Sequence, residues 1–200
     1  MPDLFADKAH EFDTRPVPQQ ISQGVFAAME RHASLSPDLS VMDFGAGTGL
    51  IAGKIADRVD RVLAVDVSEA MLAQLAKKTE LHGKVEPLRH DLLASPLDDR
   101  FDLIVSAMAM HHVQDTPALM RAFFAHLRPG GQVALADLDI EDGSFHPPGI
   151  EGVFHAGFDR AALGAELEGA GFAAVQFHDA GQVDKGDKTY GIFLVTAVRP

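Results

Sequence analysis

The chain has 200 residues, 46% of them hydrophobic and 23% charged, enough for one ordinary buried core and too few for two independent domains. Seventeen Lys and Arg against 29 Asp and Glu give a formal charge of −12, the wrong sign for gripping a phosphate backbone, so no nucleic-acid partner is expected. The absence of cysteine removes disulfides, thiolate nucleophiles and zinc–cysteine or iron–sulfur centres, and points to a reducing cytoplasm. No run reaches the roughly 20 apolar residues of a membrane helix, and the start Met1-Pro-Asp-Leu-Phe-Ala-Asp-Lys8 has no export pattern, so no membrane partner is expected either.

The elements follow in chain order. After a polar arm, Pro16 and Pro18 open a segment in which Val17, Ile21, Val25 and Met29 recur every four residues, which predicts a helix to about Ala33. Residues 1–38 therefore form an N-terminal arm and helix. Ser34 to Ser40 is a connection into the short apolar strand Val41 to Phe44, which glycines cut off. Thr48 to Asp57 is helical, Arg61 to Val65 is a buried strand, and Ser68 caps a helix bearing Met71, Leu72 and Leu75.

Lys84 to His90 is a third strand and Phe101 to Ala107 a fourth. Thr116-Pro117 caps a helix with Leu119, Met120, Phe123 and Leu127 inward, and Pro129-Gly-Gly131 stops it before a strand from Gln132 to Asp137. Strands alternating with helices predict a parallel sheet. The stretch 139–157, with four glycines, two prolines and no steady period, reads as an ordered lid over a site. Asp159 to Ala170 is helical and stops at Gly171. Strands Ala173–His178 and Tyr190–Val198 have no helix between them, so they are expected to be antiparallel, joined through the polar run Gly181 to Lys188.

Chemistry concentrates at the strand ends. In Val41-Met-Asp-Phe-Gly45-Ala-Gly47-Thr-Gly49, three alternate glycines between strand and helix leave no side chains between backbone and a ligand. A dinucleotide motif would carry a glycine three residues after Gly47; position 50 is Leu and the spacing is G-x-G-x-G, which disfavours a nicotinamide-dependent oxidoreductase. Asp66, twenty-one residues after Gly45, stands where an acid accepts from ribose hydroxyls. Asp91 and Leu92, after the third strand, suit an adenine amino group and ring. Together these positions read an adenosine.

This ordered set resembles the class I S-adenosylmethionine-dependent methyltransferases from about Phe5 to Val198. The arm Phe5 to Arg15 and the run His111-His-Val113 look like the small-molecule branch that includes ubiquinone and menaquinone biosynthesis methyltransferases. The resemblance implies an α/β fold, a Rossmann-like three-layer sandwich with a seven-stranded, mostly parallel sheet in the order 3-2-1-4-5-7-6, strand 7 antiparallel, in a single domain over 1–200. It implies cofactor contacts from Asp43, Gly45, Ala46, Gly47, Gly49, Asp66, Val67, Asp91, Leu92 and Ser106. Phe12 or Arg15 would close over the cofactor.

The activity implied is methyl transfer from S-adenosylmethionine to a small-molecule acceptor, with S-adenosylhomocysteine as product. It would work chiefly by aligning the reactants, in a cytoplasmic monomer or homodimer. A catalytically silent cofactor-binding scaffold is the alternative. Ser106-Ala-Met-Ala109 stands where amino-group methyltransferases acting on adenine or glutamine carry Asn/Asp-Pro-Pro-aromatic, which argues against those substrates. His111 and His112, ending the fourth strand near the expected methyl, are the candidate catalytic bases. His146 and His155, with Glu151 or Asp159, match no standard ligand spacing, so no metal is expected. Met108, Met110, Met120 and Tyr190 are expected to be structural.

Overall fold

A computed structural model describes residues 3–147 and 149–200. Met1 and Pro2 of the arm and Pro148 of the 139–157 stretch lie outside the described residues. Seven strands, β1 (Ser40–Phe44), β2 (Arg61–Asp66), β3 (Val85–Arg89), β4 (Phe101–Ala107), β5 (Leu127–Leu138), β6 (Ala173–Lys185) and β7 (Lys188–Val198), form one sheet. Its order is β3-β2-β1-β4-β5-β7-β6, with β1 to β5 mutually parallel and β7 antiparallel to both β5 and β6. This is the order and polarity expected from the sequence.

Five helices cover the two faces: α1 (Pro16–His32), α2 (Leu50–Ile55), α3 (Glu69–Leu75), α4 (Thr116–His126) and α5 (Arg160–Gly169). Strand alternation sorts the core. Val41 and Ala64 face a cluster with Val25, Met29, Ile51, Ile55 and Leu75 of α1 to α3, whereas Met42 and Val65 face Leu119, Phe123, Leu163 and Leu167 of α4 and α5. Phe123 is fully buried with its ring edge-on to Phe44 at 5.1 Å, and truncating it to Ala would cost about 3–5 kcal/mol. At Gly24 a Cβ would fall 2.4 Å from Ala180 O, so the close approach of α1 to β6 requires glycine there.

Three boundaries differ from expectation for local reasons. The cap of α4 is Asp115, whose carboxylate accepts from Ala118 N at 2.8 Å, and Thr116 is the first helical residue. Pro129-Gly-Gly131 does not precede β5 but lies inside it as an irregular stretch: the register shifts opposite Phe101 and Leu103, and Gly130 and Gly131 pair with the backbone of Arg199. The polar run 181–188 is not a loop; it extends β6 and β7 to a tight turn at Gly186-Asp187, anchored by Val183, which is buried opposite Tyr190.

The fold sets up one crevice. From β1 the chain steps outward to β2 and β3, then returns to the other side of β1 with β4, so the strand ends diverge between β1 and β4. Ligands of open α/β sheets bind at such a point, beyond the carboxyl ends of the strands.

Candidate active site

The glycine loop is built by its backbone. Gly45 N and Ala46 N both donate to Val65 O, at 2.8 and 3.1 Å, which turns the chain back across β2. Gly45, Gly47 and Gly49 all have positive φ (66, 55 and 81°), a region costly for residues with a Cβ. Their surroundings differ. A Cβ on Gly45 would meet Ala109 Cβ at 2.2 Å and one on Gly49 would meet Leu75 Cδ1 at 2.4 Å, whereas one on Gly47 would meet nothing within 4 Å. Gly47 is the glycine that opens onto the crevice.

Asp66 crosses beneath it, accepting from Gly47 N through Oδ2 (2.7 Å) and from Ser68 N through Oδ1 (2.8 Å). Burial pushes its pKa up, partly opposed by the Ser68, Gly47 and Val67 N–H groups and reinforced by Asp3. Val67, the next residue, is 59% exposed, an uncovered apolar side chain at the crevice. Asp43 is 1% exposed and accepts from Ala52 N at 3.0 Å; burial raises its carboxyl to about 8, with the Ala52 N–H opposing and Asp66 adding to the rise. It therefore holds α2 against β1.

Two other expected contacts also face inward. Ser106 is fully buried, its hydroxyl donating to Phe44 O at 2.9 Å, which ties β4 to β1. Leu92 is buried in the α4–α5 cluster, and Leu93 beside it is 42% exposed. Asp91 is exposed and accepts from Leu93 N and Ala94 N at 3.0 and 3.2 Å, closing a turn after β3.

The arm lies across this end of the sheet. Asp13, not singled out in the sequence, accepts from Thr48 Oγ1 at 2.5 Å and pairs with Lys78 at 2.6 Å. Asp3 caps the start of α3, accepting from Ser68 Oγ and Ala70 N. The Phe5 ring stands edge-on to His112 at 5.2 Å.

On the β4 side, Met108 takes φ 58°, a strained position for a residue with a side chain, and its N–H donates to Ala136 O at 2.9 Å. That bend, followed by the single helical turn Met110–His112, aims two histidines at the crevice beside Ala109, the residue against Gly45. His111 is buried; its Nδ1 donates to Asp137 Oδ1 at 2.7 Å, and its backbone N–H donates to Oδ2 at 3.2 Å. His112 Nδ1 donates to Gly152 O at 2.6 Å. Burial, with His111 beside it, pulls the His112 imidazole down to about 4, against opposing contributions from the Gly152 carbonyl and Asp137.

The 139–157 stretch folds back onto these histidines. Phe154 N and His155 N donate to His111 O, Glu141 N donates to Ala156 O, and Phe145 is buried beside Tyr190, whose hydroxyl meets Ser144 Oγ at 2.8 Å. Gly157 is required, since a Cβ there would lie 2.1 Å from Asp139 O. His146 Nε2 stands 3.2 Å from His111 Nε2, and burial plus the neighbouring His111 and His112 lower His146 to about 4. The sequence grouped His146 with His155; instead His155 Nε2 turns away to Val113 O at 2.9 Å. Asp137 was also missed, although an acid closing the apolar run Val133 to Ala136 is a signal for a buried partner.

Residues 41–131 match the family model described as a methyltransferase domain. An uncharacterized methyltransferase of Geobacillus kaustophilus is 31% identical over 174 residues, 83% of this chain and 80% of that protein. A ubiquinone biosynthesis O-methyltransferase of Pseudomonas fluorescens is 30% identical over 103 residues, covering 50% of this chain and 44% of that protein. Among solved structures, the N-methyltransferase NodS of Bradyrhizobium japonicum in complex with S-adenosylhomocysteine superposes with a TM-score of 0.74 at 17% identity, over 99% of this chain and 95% of that one.

Proposed function

The chain belongs to the S-adenosylmethionine-dependent methyltransferases, and from that premise we propose that it moves the sulfonium methyl of S-adenosylmethionine onto a small-molecule acceptor, releasing S-adenosylhomocysteine. The observation that carries the reading is the pairing of Gly47, open at its Cβ position, with Asp66 directly beneath its N–H. Gly45, Ala46, Gly47 and Gly49 supply the close backbone approach. Asp66 has lone pairs left for ribose hydroxyls. Val67 and Leu93 offer apolar surface to the adenine ring, while Asp91 accepts from its amino group. Asp43, Leu92 and Ser106 support these contacts from behind.

The transfer is an in-line displacement: the acceptor atom attacks the methyl as the carbon–sulfur pair returns to sulfur. The protein's share is to hold three atoms in line and dry, which the arm and the 139–157 lid serve together, Phe5 of the arm standing on His112 and Leu4 packing at Gly152 of the lid. His111, oriented by Asp137, and His112, oriented by Gly152, stand at the acceptor end, where an acceptor that must lose a proton needs a basic group. A net charge of −12 supports a small molecule over nucleic acid as acceptor. The cysteine-free composition supports the cytoplasm. No helix among the described residues is long and apolar enough to cross a membrane.

Calorimetric titration tests the cofactor: S-adenosylhomocysteine binds and NAD at the same concentration does not. Tight NAD binding with no response to the sulfur compound would sink the proposal. A screen of pooled metabolites, read by S-adenosylhomocysteine production, then identifies the acceptor.

A further inference from the structure

Three histidines converge where the turn after β4 meets the 139–157 lid. Their ligand nitrogens all lie within 4.8 Å of one another, and His111 Nε2 and His146 Nε2 are 3.2 Å apart. Around a tetrahedral zinc-class ion at the usual metal–nitrogen distance, two imidazole nitrogens stand about 3.4 Å apart. Without an ion, a 3.2 Å contact is a hydrogen bond between the rings.

The far sides of two of the rings favour the ion. A backbone carbonyl can only accept, so Gly152 O fixes the proton of neutral His112 on Nδ1 and leaves a lone pair on Nε2. Asp137 gathers donors, from His111 N, Leu138 N and His111 Nδ1, so the His111 ring is likewise anchored through Nδ1. Histidines held by a carboxylate or carbonyl through one nitrogen, with the other turned to a common point, are how proteins orient metal ligands.

We propose that His111, His112 and His146 bind one divalent ion of the zinc class through their Nε2 atoms, leaving a fourth position open for the acceptor. Three imidazoles without carboxylate ligands suit such an ion and not magnesium or calcium. This replaces the expectation of a metal-free site, which rested on the wrong partners for His146. An ion held by three neutral imidazoles keeps its full positive charge, so the open position takes an anionic ligand. The acceptor class that fits is a hydroxyl compound bound as its oxyanion. Its proton passes to solvent on binding, because metal coordination lowers the pKa of a bound hydroxyl, and with their Nε2 lone pairs on the ion His111 and His112 act as ligands in place of the base role. The oxygen pair then forms the bond to the methyl carbon while the carbon–sulfur pair returns to sulfur. The transfer step rests on the methyltransferase reading; binding of the ion does not.

The test uses the full chain, stripped with a chelator, freed of it, and titrated with Zn²⁺ and Co²⁺. One Zn²⁺ per chain is expected, with the intense visible bands of four-coordinate Co²⁺. His146→Ala should weaken zinc binding by about 100-fold or more, and Asp137→Asn by roughly 10–100-fold. His155→Gln should leave it unchanged, since that ring is turned to Val113 O. A folded His146→Ala protein with wild-type zinc affinity overturns the proposal, and so does a wild-type Co²⁺ spectrum of the six-coordinate aqueous kind. An S-adenosylhomocysteine titration on the same preparation separates the two readings: zinc bound without it breaks only the methyltransferase assignment, and the reverse breaks only the metal site.

Discussion

The two sides of the crevice are made of different material. On the β1–β2 side the chain uses backbone: glycines at positive φ, N–H groups of Gly47 and Ser68 turned onto Asp66, and Gly45 and Ala46 hung from Val65 O. On the β4–β5 side it uses side chains brought from three distant places, His111 and His112 after β4, Asp137 near the end of β5, and His146 in the lid. Backbone machinery is compact in sequence and indifferent to what reacts. Side-chain machinery is dispersed, and on the proposed reading it sets which acceptor is used, which is how one fold can serve many acceptors.

If that division holds, substitutions on the β4–β5 side change turnover and leave the cofactor in place. The largest effect is expected from His111→Asn and His112→Asn: with an acceptor in hand and saturating cofactor, kcat should fall by about 10²–10⁴-fold, the usual range for a group that readies the acceptor oxygen. Affinity for S-adenosylhomocysteine should stay within about threefold. A loss of cofactor affinity as large as the loss of kcat would erase the distinction between the two sides.

Gly45→Ala comes next and couples the sides, because its Cβ would strike Ala109 at 2.2 Å, two residues before His111. Positive φ costs about 1–2 kcal/mol and the overlap a further 1–3, so urea unfolding should show a loss of roughly 2–5 kcal/mol. Gly47→Ala bears the φ cost alone, since nothing lies within 4 Å of its Cβ; it should lose cofactor affinity with much less destabilisation. Unchanged cofactor affinity in a folded Gly47→Ala protein would mean that the open face of Gly47 has no role in binding.

Asp66→Ala should weaken S-adenosylhomocysteine binding by about tenfold or more, because hydrogen bonds to a charged acceptor contribute roughly 1.5–3 kcal/mol. Asp91→Ala should act in the same direction and less, since its carboxylate is exposed and already closes a turn. Titration calorimetry on both proteins ranks them, and a larger effect at Asp91 would reverse the assignment of ribose and adenine.

How far each side was legible in the sequence follows from the same contrast. The motif Gly45 to Gly49, Asp66 and the parallel character of the sheet are legible because local spacing and strand–helix alternation are properties of neighbouring residues, whereas the strand order comes only with the resemblance to a known family. Ser106 and Leu92, contacts the resemblance implies, have buried side chains: Ser106 donates to Phe44 O from within β4, and Leu92, in the turn after β3, joins the α4–α5 cluster, where a turn has no period to phase it. His146 was grouped with His155, nine residues away, when its partner His111 is 35 residues distant; a lid without periodicity gives no means of choosing. Asp115 displaced Thr116 as helix cap because both residue types cap well and only the backbone turn decides between them.

The smallest expected effect lies under the cofactor side, at Asp43. Burial keeps its carboxyl uncharged in the folded chain up to about pH 8, whereas the unfolded chain releases that proton near pH 3.8. Between those values the folded state binds more protons than the unfolded one, so this group's contribution to stability is whole below about pH 4 and declines as the pH rises through 8. Asp43→Asn keeps an oxygen to accept from Ala52 N and has no proton to lose. From pH 7 to 8 alone the variant should therefore gain on the wild type by an amount on the order of 1 kcal/mol, about 2–4 °C in the difference between melting temperatures. Other carboxylates and histidines titrate in both proteins and cancel in that difference. A gap that stays constant from pH 5 to 8 would show that Asp43 is ionised throughout, its charge held by the N–H groups opening α2, and the cofactor side would then rest on two buried carboxylates instead of one.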